Sequence, residues 1–170
     1  MVSELDQKDY IYYSAIPLRG PQGAPRLSKN GPTDFSDPNV HQWVNFPPLE
    51  RSAYVKGMLQ SFEADVTHVR LMRLQAGAVV KEHTDPTLDA AHRNVIRLTV
   101  PVFSNDDVTF FLNDAPVPMR PGEVWYLRLS DKHSVVNNGS EERINLSIDL
   151  VYNDWIEEKL IFNDLEARNR

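Results

Sequence analysis

The 170-residue chain contains no cysteine. Disulfides, thiolate zinc fingers, iron–sulfur clusters and thiol catalysis are thereby excluded. No apolar run approaches the ~20 residues that span a bilayer. The start, Met1-Val2-Ser3-Glu4-Leu5-Asp6, lacks the basic and then apolar profile of a signal peptide. A cytoplasmic protein without a membrane partner is expected. Basic runs are missing as well: Lys plus Arg is 18 against 24 Asp plus Glu, a formal charge of −6, which argues against nucleic acid as a partner. P-loop, dinucleotide-binding, nucleophile-elbow and kinase signatures are all absent. Glycine is scarce (7) and proline is not (12), which points to many turns and few long helices.

What is present is a globular composition, 41% apolar and 25% charged, in a length that suits one domain over 1–170. Three zones divide it. Residues 1–65 form a proline-punctuated wrap, with a short strand expected around Tyr10–Ile16, and then a helix. That helix is predicted at about 48–63, with Pro48 at its first position and Val55, Met58, Leu59 and Phe62 as one apolar stripe. Residues 66–152 read as strands at 66–74, 78–83, 95–103, 107–113, 115–119, 123–129, 133–137 and 142–151. Turn chemistry separates them, as at Ala76-Gly77, Asn113-Asp114, Pro121-Gly122 and Asn137-Asn138-Gly139. Residues 153–170 hold a helix predicted at 154–168, capped by Asp154, with Ile156, Leu160 and Ile161 on one side. So many short strands without helices between them predict a mainly β protein, a jelly roll or barrel with flanking helices.

The alternation within two strands carries further information. Ile96, Leu98, Val100 and Val102 share one face of 95–103, and Arg97 and Thr99 the other. Ile144, Leu146, Ile148 and Leu150 oppose Arg143, Asn145, Ser147 and Asp149 in the same way. The helices can cover the apolar faces. The polar faces meet either solvent or a wet cavity.

His83-Thr84-Asp85 places an imidazole and a carboxylate roughly 7 Å apart on one side of an extended segment. His133 is a second imidazole at the start of a strand. Two histidines and one carboxylate with open sites opposite make the facial triad of non-haem Fe(II) oxygenases; zinc takes the same ligands. Arg143 follows His133 by ten residues, with Asn137-Asn138-Gly139 between them. A two-residue hairpin loop would put His133 and Arg143 on opposite faces. A three-residue loop with Gly139 in the left-handed position sets them opposite each other on one face, and we adopt this second register. Arg143 then offers its fork to a carboxylate beside the metal.

Taken in order, Val69–Gly77, His83-Thr84-Asp85, Arg97–Val102, Pro121–Tyr126, His133 and Arg143–Asp149 resemble the aspartyl/asparaginyl β-hydroxylase domain, a group that includes bacterial proline hydroxylases. The resemblance covers about residues 66–152. It implies a double-stranded β-helix (jelly roll, cupin-like), with Fe(II), 2-oxoglutarate as cosubstrate, and O2. It implies His83, Asp85 and His133 as iron ligands and Arg143 as the partner of the distal carboxylate of 2-oxoglutarate. Arg97 and Thr99 would line the rest of the cosubstrate site. The family often has histidine where Thr99 stands, and a serine that some members use falls on Met72. The segment Pro86–Asn94 is read as a substrate lid. The activity implied is hydroxylation of an amino acid, free or in a short peptide. The alternative is a non-catalytic or non-oxidative cupin-like module. Plainer readings are preferred for the other polar residues: His92 could touch substrate but is read as a solvated loop residue, His41 and His68 are structural or exposed, and Arg70 and Arg73 could meet a substrate carboxylate but are read as surface strand arginines. Trp125 and Tyr126 pack, and Asn105 serves a turn.

Overall fold

The computed structural model describes residues 13–22 and 42–168, with side chains described for 14–22 and 42–161. Among these residues, ten strands form two antiparallel sheets. They are β1 (Tyr13–Pro21), β2 (Trp43–Asn45), β3 (Val66–Leu74), β4 (Val79–His83), β5 (Val95–Phe103), β6 (Val108–Leu112), β7 (Ala115–Val117), β8 (Trp125–Tyr126), β9 (His133–Asn137) and β10 (Arg143–Val151). From β3 onward, successive segments are shared between two four-stranded layers, β3-β10-β5-β8 and β4-β9-β6-β7; β1 and β2 extend the first. This is the double-stranded β-helix. β3 pairs with β10, so the start and the end of the core meet in one sheet.

Local chemistry explains most of these elements. β5 and β10 alternate as the sequence predicts. Their apolar faces join Leu18, Leu49, Leu59, Val69 and Ile156 in one buried cluster. The helices covering that face are α1 (Pro47–Glu50), α2 (Ala53–Gln60) and α3 (Asp154–Arg168). The helix expected at 48–63 is therefore two short ones, broken at Arg51 and Ser52. Two prolines occupy the first positions of α1, and Leu59 carries the buried end of the apolar stripe. A second cluster, Leu74, Ala78, Leu88, Phe110, Leu127, Leu129 and Val135, fills the space bordering the smaller sheet.

The tight β6–β7 turn puts Asn113 and Asp114 at φ 50 and 63, the conformation a two-residue hairpin needs and these residue types tolerate. Gly77 and Gly122, also at positive φ, occupy two more of the expected turns. The α3 cap differs from expectation: Asn153 Oδ1 accepts from the Ile156 amide at 3.1 Å, so the cap is Asn153 and Asp154 lies in the first turn. Ile161 is exposed rather than grouped with buried Ile156. The strand expected around Tyr10–Ile16 is observed from Tyr13 to Pro21, and the earlier part of that range lies outside the described residues, as does His41.

The largest correction concerns β9 and β10. They do not form a hairpin. β9 pairs with β4 and β6, and β10 pairs with β3 and β5, so residues 138–142 cross from one sheet to the other. His133 is paired with His83 and Leu112, and Arg143 with Leu74; the register that set His133 opposite Arg143 is wrong. The Asn-Asn-Gly signal is local, whereas here it serves a crossover. The Asn137 side chain organises that crossover, donating to the Leu74, Gln75 and Glu141 carbonyls and accepting from the Gly139 amide.

Candidate active site

The polar faces of β3, β5 and β10 meet a cavity of about 520 Å³ rather than solvent. All six residues singled out in the sequence, His83, Asp85, Arg97, Thr99, His133 and Arg143, line it. His68, Arg70, Asn145, Ser147 and Asp149 line it too.

His83 and His133 come together because they are direct cross-strand partners on β4 and β9. Such partners project from the same face. The ladder between β4 and β9 is irregular between Val80 and His83, a place where a strand can re-aim a side chain. The ring centroids stand 4.2 Å apart, and Phe110 stacks on His133 at 5.9 Å. Asp85 lies beyond the end of β4, where its amide donates to the Leu129 carbonyl at 2.8 Å. One ligand atom from each of His83, Asp85 and His133 lies within 4.8 Å of the others.

The hydrogen bonds of the two rings test whether a metal fits. His83 Nδ1 is 2.8 Å from the Lys81 carbonyl, and His133 Nδ1 is 3.0 Å from the Asp131 carbonyl. A carbonyl only accepts, so each Nδ1 carries the proton and each Nε2 keeps its lone pair. That is the tautomer a metal ligand needs, fixed by outer hydrogen bonds. Burial lowers the His133 pKa, which favours the same neutral ring. The donor set therefore fits a divalent cation.

A charged cluster lies beside this triad. Arg97 grips Asp149 bidentately, Nε to Oδ1 at 2.6 Å and a terminal nitrogen to Oδ2 at 2.9 Å, and reaches Asp85 Oδ2 at 3.3 Å. Arg70 donates to Asp149 Oδ2 at 3.2 Å, and His68 Nδ1 stands 3.7 Å from the same oxygen. Burial alone would push Asp149 up, but Arg97, Arg70 and His68 together hold it below the usual carboxylate range. His68, against the edge of Trp43, is pushed down to about 4 because burial outweighs the attraction of Asp149. Arg143 is buried at the far end of β10 and donates to Asn145 Oδ1 at 3.2 Å.

Sequence reasoning missed His68 as a site residue, set Arg70 aside as a surface arginine and gave Asp149 no role. Arg70 is buried in the cavity, not a surface arginine; Arg73 is half-exposed beside Glu142. The signal was available: His68, Arg70 and Met72 alternate along β3 as the polar residues do along β5 and β10. His92 is exposed, and Thr87, Leu88 and Asn94 of the segment read as a lid form part of the cavity wall. Asp89 ties that segment to the loop before His133 through Ser130 Oγ at 2.7 Å. Among the described residues no helix is long and apolar enough to cross a membrane.

Fold and site together define a jelly roll whose inner cavity presents a clustered His/Asp/His donor set. Residues 48–152 match the Aspartyl/Asparaginyl beta-hydroxylase family, and the chain belongs to it. It is 28% identical over 167 residues to L-proline cis-3-hydroxylase 2 from a Streptomyces species, a match covering 95% of this chain and 54% of that protein. The chain thus spans about half the length of that curated relative. Among solved structures it resembles a predicted oxalate decarboxylase from Thermotoga maritima (18% identity, 56% of this chain and 72% of that one, TM-score 0.39). It also resembles a cupin domain from Bordetella pertussis Tohama I (14% identity, 53% and 86%, TM-score 0.38).

Proposed function

We propose that the protein is an Fe(II)- and 2-oxoglutarate-dependent dioxygenase that hydroxylates an unactivated C–H bond of an amino acid, free or in a short peptide. The observation that carries this reading is the pair of facing imidazoles with fixed tautomers beside one carboxylate. His83, Asp85 and His133 would hold the metal and leave positions for other ligands. When bound, iron and 2-oxoglutarate supply the oxidising power: O2 and 2-oxoglutarate are consumed, succinate and CO2 leave, and one oxygen atom enters the substrate as hydroxyl.

The chain's own residues bind, orient and shield. Arg143 would take the distal carboxylate of 2-oxoglutarate, its fork steadied by Asn145. Arg97 is a positioning residue: it holds Asp85 by the same Oδ2 that it reaches across the cavity, and Asp149 fixes its plane. Thr99 lines the same floor. Leu88, Phe110, Leu129 and Val135 form an apolar wall that keeps water from the reacting centre. The L-proline cis-3-hydroxylase likeness supports a small amino-acid substrate.

The test is succinate formation from 2-oxoglutarate with Fe(II) and O2 across the free amino acids. Stimulation by at least one of them, lost in His133→Ala, is expected. Metal binding without any 2-oxoglutarate consumption would overturn the proposal in favour of a binding module.

A further inference from the structure

The cavity floor is a set of rungs that cross β3, β10 and β5. His68, Asp149 and Arg97 form one rung, Arg70, Ser147 and Thr99 the next, and Met72, Asn145 and Pro101 the one after. Asp149 receives N–H groups from Arg97 on its own rung and from Arg70 on the next. Ser147, at the centre of the middle rung, is in a different state. It lines the cavity and is 1% exposed, yet its Oγ has no hydrogen-bond partner among the described residues. A hydroxyl can donate and accept, and one buried with neither bond made calls for a group that the fold itself does not supply.

Its place on β10 says which group. Arg143 donates to Asn145 Oδ1 at 3.2 Å, which brings its guanidinium beside residue 145. Ser147 is two residues further along the strand, about 7 Å. One rung beyond Ser147, Arg97 reaches Asp85 Oδ2 at 3.3 Å, and Asp85 belongs to the His/Asp/His cluster. Ser147 thus stands between the guanidinium assigned to the distal carboxylate and the donor set assigned to the metal. With four C–C bonds of about 1.5 Å each, 2-oxoglutarate spans about 5 Å between its carboxyl carbons. Laid from Arg143 toward the metal ligands, it brings its oxo-acid end over the middle rung. The serine hydroxyl is neutral, so it adds a donor there without altering the charge of the cavity.

We infer that Ser147 is a cosubstrate-binding residue: its Oγ–H donates to the carboxylate beside the keto group of 2-oxoglutarate, at the opposite end from Arg143. This rests on the dioxygenase reading above. The two contacts lie on one strand and read the two ends of the molecule separately. In the metal-free, ligand-free protein the hydroxyl is a buried group without a bond, so it contributes nothing to the fold and acts only when the cosubstrate is bound.

The test is calorimetric binding to the Mn(II)-loaded protein under nitrogen, with 2-oxoglutarate and with 2-oxopentanoate, which keeps the oxo-acid end and lacks the distal carboxylate. Ser147→Ala should weaken both ligands by the same factor, about 10-fold or more, the size expected for a hydrogen bond to a charged group. Arg143→Lys should weaken 2-oxoglutarate and leave 2-oxopentanoate unchanged. In Ser147→Ala the Mn(II) affinity should stay as in the wild type, and the urea midpoint of the metal-free protein should be unchanged or higher, because the variant only removes a buried group that has no bond. The inference is overturned by a Ser147→Ala protein that binds 2-oxoglutarate normally, that loses 2-oxoglutarate but not 2-oxopentanoate, or that is less stable or poorer in Mn(II) than the wild type. A wild-type protein that takes 2-oxoglutarate and refuses 2-oxopentanoate overturns it as well. Failure of 2-oxoglutarate to bind the wild type overturns the dioxygenase reading instead.

Discussion

The guanidinium of Arg143 is buried and oriented by a neighbouring amide oxygen, so its geometry matters as much as its charge. Replacing it by lysine keeps the charge and loses the planar fork. The expected result for Arg143→Lys is an apparent KM for 2-oxoglutarate raised by about 10-fold or more, with kcat reduced less, read from succinate kinetics. An unchanged cosubstrate requirement would remove Arg143 from that role. At this scale the sequence was informative wherever chemistry is written in residue type: His83, Asp85 and His133 stand out because imidazoles and carboxylates at such spacing can share a cation, and the fold brings one ligand atom of each within 4.8 Å of the others. Arg70 and His68 did not stand out, since a charged residue in a strand usually faces water. Only the neighbouring strands reveal that this face is inside.

Elements were legible where hydrophobic alternation is strict. β3, β5 and β9 have the predicted bounds, 66–74, 95–103 and 133–137; in the middle of β5, Ile96, Leu98 and Val100 alternate with Arg97 and Thr99. The connection after β9 was not legible. Asn-Asn-Gly suits a hairpin, but sheets packed face to face lie only about 10 Å apart, and five residues bridge that gap as readily as they reverse a chain. The information lies in the Asn137 side chain, fully buried and bonded to three carbonyls. Asn137→Ala should leave several polar groups unsatisfied and cost about 2–4 kcal/mol, measured by urea unfolding, while the exposed Asn138→Ala should cost under ~0.5 kcal/mol. Equal effects would mean the crossover is not organised by this side chain. A Cβ added at Gly139 would displace the Asn105 side chain, which accepts from the Asp107 amide and donates to the Glu141 carbonyl.

For the whole molecule, the buried histidine predicts the acid response. His68 has a folded-state pKa of about 4 against an ordinary 6.5. The unfolded chain therefore binds the proton first as pH falls. The stability is fully present above 6.5 and declines toward pH 4, by about 3 kcal/mol. His133 shifts in the same direction. Asp149, held below 3.8, contributes in a lower window and does not offset the loss. Urea midpoints of the metal-free protein should fall between pH 7 and pH 4.5, and His68→Gln should flatten that slope. A slope as steep in His68→Gln would assign the acid sensitivity elsewhere.

The two facing imidazoles have a mechanical consequence. Among the described residues β4 is the outermost strand of its layer, has β9 as its sole neighbour there, and exposes most of its residues. An ion shared by His83 and His133 would act as a rivet through this loose selvedge, fastening it to the strand beneath. Stripping the ion with EDTA should then quicken amide hydrogen exchange across 79–83 while β3 and β10 stay protected, so that loss of cargo and fraying of the hem are one event.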